Sequence, residues 1–115
     1  MKADNFRART KNFALEIIRF CDELPKRSGI HVLQNQLLRS STSVAANFRE
    51  ACRSRSRAEF ISKVETCAQE ADETQLWLEL IHEGYSVTST SMKWLLQESD
   101  EIISILVAMS KKAKS

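Results

Sequence analysis

The fold is decided by the stretch from Ser56 to Gly84, which reads SRAEFISKVETCAQEADETQLWLELIHEG. Its apolar and small residues recur at steps of four and three, which places them on one face of an α-helix. Ser56 precedes Glu59 by three residues, the spacing of a capping box at a helix start. Gly84 is a typical helix stop, so we predict a helix over residues 57–83. The buried stripe of this helix is Phe60, Val64, Cys67, Ala71, Thr74, Leu78 and Ile81.

The same period occurs in three further segments, at about residues 4–24, 30–54 and 90–112. Pro25 ends the first segment, and the lysines that close the last one suit the negative end of a helix. Short connections between four such helices predict an all-α, antiparallel up-and-down four-helix bundle in one domain spanning residues 1–115. The predicted stripe of the second helix is Ile30, Leu33, Leu37, Ser40, Val44, Asn47 and Ala51, with a neighbouring row of Leu38, Ser41, Ala45, Phe48 and Cys52. Because this face is wide and rich in small residues, we expect another helix to approach it closely.

Composition narrows the class of protein and its location. Two Gly and one Pro are too few for a β-sandwich or a Gly-rich nucleotide-binding fold. The sequence has no run of about 18 apolar residues, the length needed to span a membrane. No apolar signal core follows the N-terminus. The three cysteines are widely spaced and form no C-x-x-C motif, which is typical of a reduced protein. We therefore expect a cytoplasmic protein that does not contact membranes.

Charge is divided unevenly along the chain, although the net charge is only +2. Lys and Arg predominate in residues 1–57, and Asp and Glu in residues 58–115, so the two halves should attract each other. The best candidates for binding nucleic acid or a partner protein are Arg39, Arg49, Arg53, Arg55 and Arg57, because clustered guanidinium groups bind phosphates. No aromatic residue interleaves them, so base stacking is not indicated. Alternatively, the arginines pair with Glu65, Glu70, Asp72 and Glu73 of the same or a neighbouring chain.

Three other residues are candidates for a structural role. Asn47 falls on the apolar line of the second helix, and a buried Asn can fix helix register and oligomeric state. Glu50 follows it by three residues and could accept its amide hydrogen bonds or pair with Arg53 or Arg39. Trp77 lies off the main stripe of its helix, which favours a position in an interface over packing at the end of the bundle.

The sequence predicts no metal, no cofactor and no enzymatic activity. Glu79 and His82 have the Glu-x-x-His spacing of di-iron bundles, but such sites need a second pair, and Ser28 stands three residues before His31, the other histidine. The apolar stripe also turns Glu79 outward. No histidine or aspartate is placed to activate a cysteine, and Cys52 and Cys67 are expected to be buried packing residues.

The segment from Gln36 to Ala51, QLLRSSTSVAANFREA, resembles the second-helix motif of the small proteins encoded by intervening sequences of 23S ribosomal RNA genes. Their motif reads approximately Q-L-R-R-A-x-x-S-I-x-x-N-I-A-E-G. Leu38, Arg49 and Ala51 depart from it, which puts in doubt any ligand role tied to its final Gly. The resemblance spans nearly the whole chain. The residues that match are Gln36, Leu37, Arg39, Ser43, Asn47 and Glu50.

This resemblance implies a four-helix subunit that assembles into a homo-oligomeric ring, a pentamer in the members compared. A related accessory protein of diversity-generating retroelements works with a reverse transcriptase, which implies contact with nucleic acid. Our leading hypothesis is therefore a non-enzymatic oligomeric scaffold that binds RNA, DNA or a nucleic-acid enzyme through its arginines. An adapter that binds only protein is the alternative, and a metal-dependent enzyme is a remote one.

Overall fold

The computed structural model describes residues 3–115 and contains four α-helices. They are α1 (Ala3–Cys21), α2 (Ile30–Cys52), α3 (Arg57–Tyr85) and α4 (Thr90–Lys114). The described part of the chain measures 45 × 21 × 20 Å and has no strand, so the predicted all-α four-helix bundle is confirmed. Helix α1 ends three residues before its predicted end, α2 ends two residues early, and α3 and α4 each extend two residues further.

The helices form a square in which each packs on its neighbours in the chain and α1 closes the square against α4. The diagonal pairs do not approach each other within the described residues. Helices α2 and α3 run close together over the greatest length, and the seam between α1 and α4 is the most open. This arrangement leaves every helix with one face toward the common core and another outside it.

Small residues allow the close approach of α2 and α3. The hydroxyl of Thr74 donates a hydrogen bond to that of Ser40 at 2.8 Å, inside the bundle. The thiol of Cys67 lies 3.6 Å from the backbone carbonyl of Val44. Contacts of this kind need helix backbones near each other, which larger side chains would prevent. The small-residue face predicted for the second helix is therefore packed against α3.

Aromatic and branched residues fill the core between the four helices. Phe6 of α1 and Phe48 of α2 meet edge to face with ring centroids 4.8 Å apart, a favoured aromatic geometry. The predicted stripes of α2 and α3 supply much of the core, although Leu33, Asn47 and Phe60 are only partly buried. The largest side chains that are fully buried are Phe6, Phe13, Phe20, Phe48, Ile17, Leu37, Leu78, Ile81, Met92, Leu95, Ile102 and Leu106.

One partly buried ion pair joins α1 to α4. Arg9 donates from Nε and Nη2 to the two carboxylate oxygens of Glu98, at 2.8 and 2.6 Å, and also reaches Glu101 at 2.9 Å. Glu98 is buried, and its hydrogen bond is the main cause that raises the pKa of the Arg9 guanidinium. A bidentate pair fixes both side chains, so it sets the relative position of helices whose seam is otherwise open. It also joins the basic and acidic halves of the chain, as their charges predicted.

The helix ends agree with the predicted caps in part. Ser56 Oγ accepts a hydrogen bond from the Glu59 amide at 3.1 Å, as predicted for a capping box. The Glu59 carboxylate, however, accepts from the Arg55 amide instead of that of Ser56. Gly84 does not end α3, because the helix continues to Tyr85 and closes on Ser86, which has a positive φ of 55°. The predicted stop at Gly84 is therefore wrong.

Gly29 begins α2 in the left-handed conformation, with φ 82°. Its neighbour Ser28 accepts a hydrogen bond from the Tyr85 hydroxyl at 2.6 Å, which ties the α1–α2 connection to the end of α3. A Cβ added at Gly29 would lie 3.0 Å from that hydroxyl oxygen. Both the backbone angle and the close approach therefore favour glycine here.

We expect Gly29→Ala to destabilise the fold by about 1–3 kcal/mol, since a side chain at positive φ is strained and would push on Tyr85. Gly84→Ala is the matched control. Gly84 lies inside α3 with no atom within 4 Å of an added Cβ, so this variant should gain about 0.5–1 kcal/mol from helix propensity. Urea denaturation followed by circular dichroism measures both, and equal effects of the two substitutions would contradict this account.

Candidate nucleic-acid interface

Arg39 is occupied within the chain. Its guanidinium group contacts Glu70 at 3.1 Å and Glu73 at 2.6 Å, both on α3. Partial burial acts to raise the pKa of Glu70, but hydrogen bonds from Ser43 and Arg39 and the charge of Arg39 outweigh it and lower the pKa. For this arginine the structure shows the alternative considered above, pairing with acidic residues of its own chain.

Arg49 lies in the last turn of α2 and Arg53 directly follows that helix, both toward α1. They line a groove of about 450 Å³ together with Arg7 and Lys11 of α1. The methyl groups of Ala45 and Ala46 also line it, so small side chains leave the cations accessible. We call this surface, formed by the four cations and the two alanines, the basic groove.

Glu50 supplies the one carboxylate that lines the basic groove within the described residues. It is paired with Lys63 of α3 at 2.7 Å, and not with Arg53 or Arg39 as the sequence suggested. The pairing follows from the close α2–α3 seam, which brings Lys63 opposite Glu50. The groove therefore keeps an excess of positive charge.

Arg7 and Lys11 were not among the residues singled out from the sequence. Their spacing of four places both on one face of α1, away from the buried Phe6 and Phe13. That spacing was visible, but which neighbour this face meets was not. Arg7 also lies 3.2 Å from Asp4, whose side chain is 84% exposed, so this ion pair is weak and leaves Arg7 available.

Arg55 and Arg57 are exposed where the α2–α3 turn leads into α3. Neither side chain forms an ion pair with any residue in the range 3–115. Arg57 does not line the basic groove but a second cavity at the same end of the bundle, which includes Phe60. The five predicted arginines thus lie in three environments. Arg39 belongs to an ion-pair network, Arg49 and Arg53 line the basic groove, and Arg55 and Arg57 are on an exposed turn.

Asn47 and Trp77, to which the sequence assigns structural roles, lie outside the fully buried core. Asn47 is half-buried, and its amide donates to the backbone carbonyl and the hydroxyl of Ser43, each at 2.9 Å. The expected burial is wrong for a single chain, because a straight helix drifts from a strict heptad line and turns this position toward the rim. Trp77 is half-buried, and its indole N–H has no hydrogen-bond partner among residues 3–115.

The described part of the chain contains neither a cluster of metal ligands nor an activated thiol among Cys21 and Cys67. No three His, Cys, Asp or Glu side chains of residues 3–115 converge to hold a metal ion. Glu79 is exposed, while His82 Nδ1 lies 2.7 Å from the Val87 carbonyl. Burial raises the pKa of the Cys21 thiol to about 11 and that of the Cys67 thiol to about 12, so both are protonated at neutral pH.

The fold and the groove together define a class: a four-helix bundle with surface-presented cations. None of the described helices combines the length and the apolar character needed to cross a membrane. Residues 5–108 match the family model described as 23S rRNA-intervening sequence protein, and the chain belongs to that family.

A solved structure supports the same assignment. The chain is similar to a protein of unknown function from the S23 ribosomal protein family of Bacteroides thetaiotaomicron VPI-5482, determined at 1.70 Å resolution. The two share 34% sequence identity and a TM-score of 0.83, over 91% of this chain and 97% of the other. No curated protein matches the sequence.

We expect Arg39→Gln to destabilise the fold by about 0.5–1 kcal/mol at neutral pH, since the network is partly exposed. The pKa of Glu70 is lower in the folded state than in the unfolded state. At pH values above its ordinary pKa, the ionised Glu70 therefore stabilises the fold. This contribution is lost as the pH falls through the folded-state pKa. The difference between Arg39→Gln and the parent should therefore shrink on acidification. Arg19→Gln, which removes an exposed pair with Glu16, is the control and should cost less at neutral pH. An Arg39→Gln effect that does not change with pH would contradict the assignment.

Proposed function

We propose that this protein is a non-enzymatic scaffold that binds the phosphate backbone of nucleic acid through the basic groove. The observation that carries the proposal is the convergence of Arg7, Lys11, Arg49 and Arg53 from two helices on one groove. Opposed cations in a groove bind anions better than cations scattered over a convex surface, because their fields add.

The spacing of the cations suits a polyanion. Arg7 and Lys11 are four residues apart on α1, and Arg49 and Arg53 are four residues apart at the end of α2. The members of each pair are therefore neighbours, about 6 Å from each other along the axis. The two rows lie on packed helices, whose axes are typically about 8–10 Å apart. Four positive charges over such an area can contact several phosphates at once. Among residues 3–115 no aromatic side chain lines the groove, which favours contact with the nucleic-acid backbone and little sequence preference.

An adapter that binds only protein is supported less well. An acidic protein surface could contact the same cations, but the alanines of the groove offer little apolar area for a protein hot spot. Binding to nucleic acid depends on salt more steeply than most protein contacts do, because condensed counterions are released. Salt dependence therefore separates the two functions.

We expect the parent protein to bind a fluorescein-labelled RNA or DNA duplex with an affinity that falls steeply with salt. Arg49→Gln/Arg53→Gln should weaken binding and lower the log–log salt slope by about one for each cation removed. Arg39→Gln and Lys93→Gln are matched controls outside the groove and should change the affinity little. Fluorescence anisotropy between low and physiological salt measures all four. Absence of binding at low salt, or equal losses in all variants, would contradict the proposal.

We also propose that the subunit assembles into a ring, for which the resemblance implies a pentamer. Exposed apolar residues support this part: Leu76 and Leu80 lie beside Trp77 on α3, outside the core. An interface there would cover both leucines, which are otherwise left against water. Ring symmetry would repeat the basic groove, and repeated weak sites on one polyanion gain affinity through multivalency.

We expect light scattering to give the mass of an oligomer for the parent protein and of a monomer for Leu76→Glu/Leu80→Glu. Leu15→Glu/Ile18→Glu is the matched control, because these residues are equally exposed but lie on α1. It should leave the mass unchanged. A monomeric parent would contradict the assembly, while loss of assembly in the α1 variant alone would place the interface on the other side.

The free state of Cys21, Cys52 and Cys67 supports the cytoplasmic location that we propose.

A further inference from the structure

A second cavity opens at the end of the bundle where α2 and α4 end and α3 begins. It has a volume of about 420 Å³, which is within the range of small-molecule sites. Phe48 of α2, Phe60 of α3, and Met109 and Ala113 of α4 form its apolar lining. We refer to it as the end cavity. It is distinct from the basic groove, since the two share no lining residue.

The rim of the end cavity is cationic. Arg57 and Lys112 line it together with Ser115, and no Asp or Glu side chain of residues 3–115 does. Neither cation forms an ion pair with any residue in the range 3–115. Lys114, in the same turn of α4, is instead paired with Glu65 of α3 at 2.6 Å. That pair holds the last turn of α4 against α3 and leaves Lys112 free beside the cavity.

We infer that the end cavity binds a small amphipathic organic anion, an acid with an aromatic or short alkyl body. The apolar body would be removed from water against Phe60 and Met109, which is favourable in proportion to the area covered. The acid group would remain at the rim, where Arg57 and Lys112 can donate charge-assisted hydrogen bonds. A neutral apolar molecule would lack the second contribution, and a cation would be repelled. The cavity therefore selects both for shape and for charge.

Two methionines, one at the end cavity and one far from it, allow binding at this site to be observed directly. Met109 lines the end cavity, whereas Met92 is fully buried near the start of α4. In protein labelled with ¹³C at the methionine methyls, the anion 8-anilino-1-naphthalenesulfonate should shift the Met109 signal saturably and leave that of Met92 unchanged. Met109→Leu assigns the signal. A dissociation constant on the order of 10–100 μM is expected for a molecule of this size.

Charge and shape are tested separately. N-phenyl-1-naphthylamine, which has the same aromatic body without the sulfonate, should bind about tenfold more weakly to the parent. Arg57→Gln/Lys112→Gln should weaken the sulfonate about tenfold and leave the neutral compound unaffected. Ala113→Leu, which fills the cavity from its mouth, should weaken both. Lys93→Gln, which removes one exposed cation at the opposite end of α4, is the control, and circular dichroism confirms that each variant is folded.

The inference is overturned if the Met109 methyl does not respond, if Met92 shifts equally, or if the charge variants bind the sulfonate as tightly as Lys93→Gln does. If RNA displaces the dye from the parent protein but not from Ala113→Leu, the end cavity binds nucleic acid. That outcome would also overturn the inference. None of these outcomes bears on the basic groove, because Arg49 and Arg53 remain unchanged in every variant.

Discussion

The close packing of α2 against α3 is the constraint on which the rest of the structure depends. Ser40 meets Thr74 by a hydrogen bond, and Cys67 approaches the backbone of Val44, so no larger side chain fits at these positions. Once this seam is formed, the angular position of α2 is fixed. Its core line then faces inward, Glu50 faces Lys63, and Arg49 and Arg53 face α1. The basic groove is thus a consequence of how the small residues are distributed around α2.

Helical periodicity made the fold predictable, because it is a local property that burial enforces along each helix. Val64 and Leu78, for example, are buried as their spacing indicated. Predictions that relied on one residue type were less accurate. Gly84 was taken as a stop, yet α3 passes through it, since a glycine can also occupy a helix at moderate cost. Asn47 was placed on a heptad line that the straight helix does not follow for its whole length.

The candidate site was only partly predictable, because it depends on which helices become neighbours. The sequence identified Arg49 and Arg53 but grouped them with Arg39, which lies on the same helix and is engaged by Glu70 and Glu73. It did not identify Arg7 and Lys11, since their relation to α2 exists only in the folded chain. Charge counted along a sequence does not distinguish a cation that is paired across a seam from one that lines an open groove.

The most direct test of the proposed binding surface is arginine-selective footprinting with phenylglyoxal, read by mass spectrometry with and without bound duplex. The account predicts that Arg49, Arg53 and Arg7 become protected when nucleic acid binds. Arg27 is exposed in the connection between α1 and α2, at the opposite end of the bundle, and should react equally in both states. Protection of Arg27 to the same extent, or unchanged reactivity of Arg49 and Arg53 in a saturated complex, would contradict it.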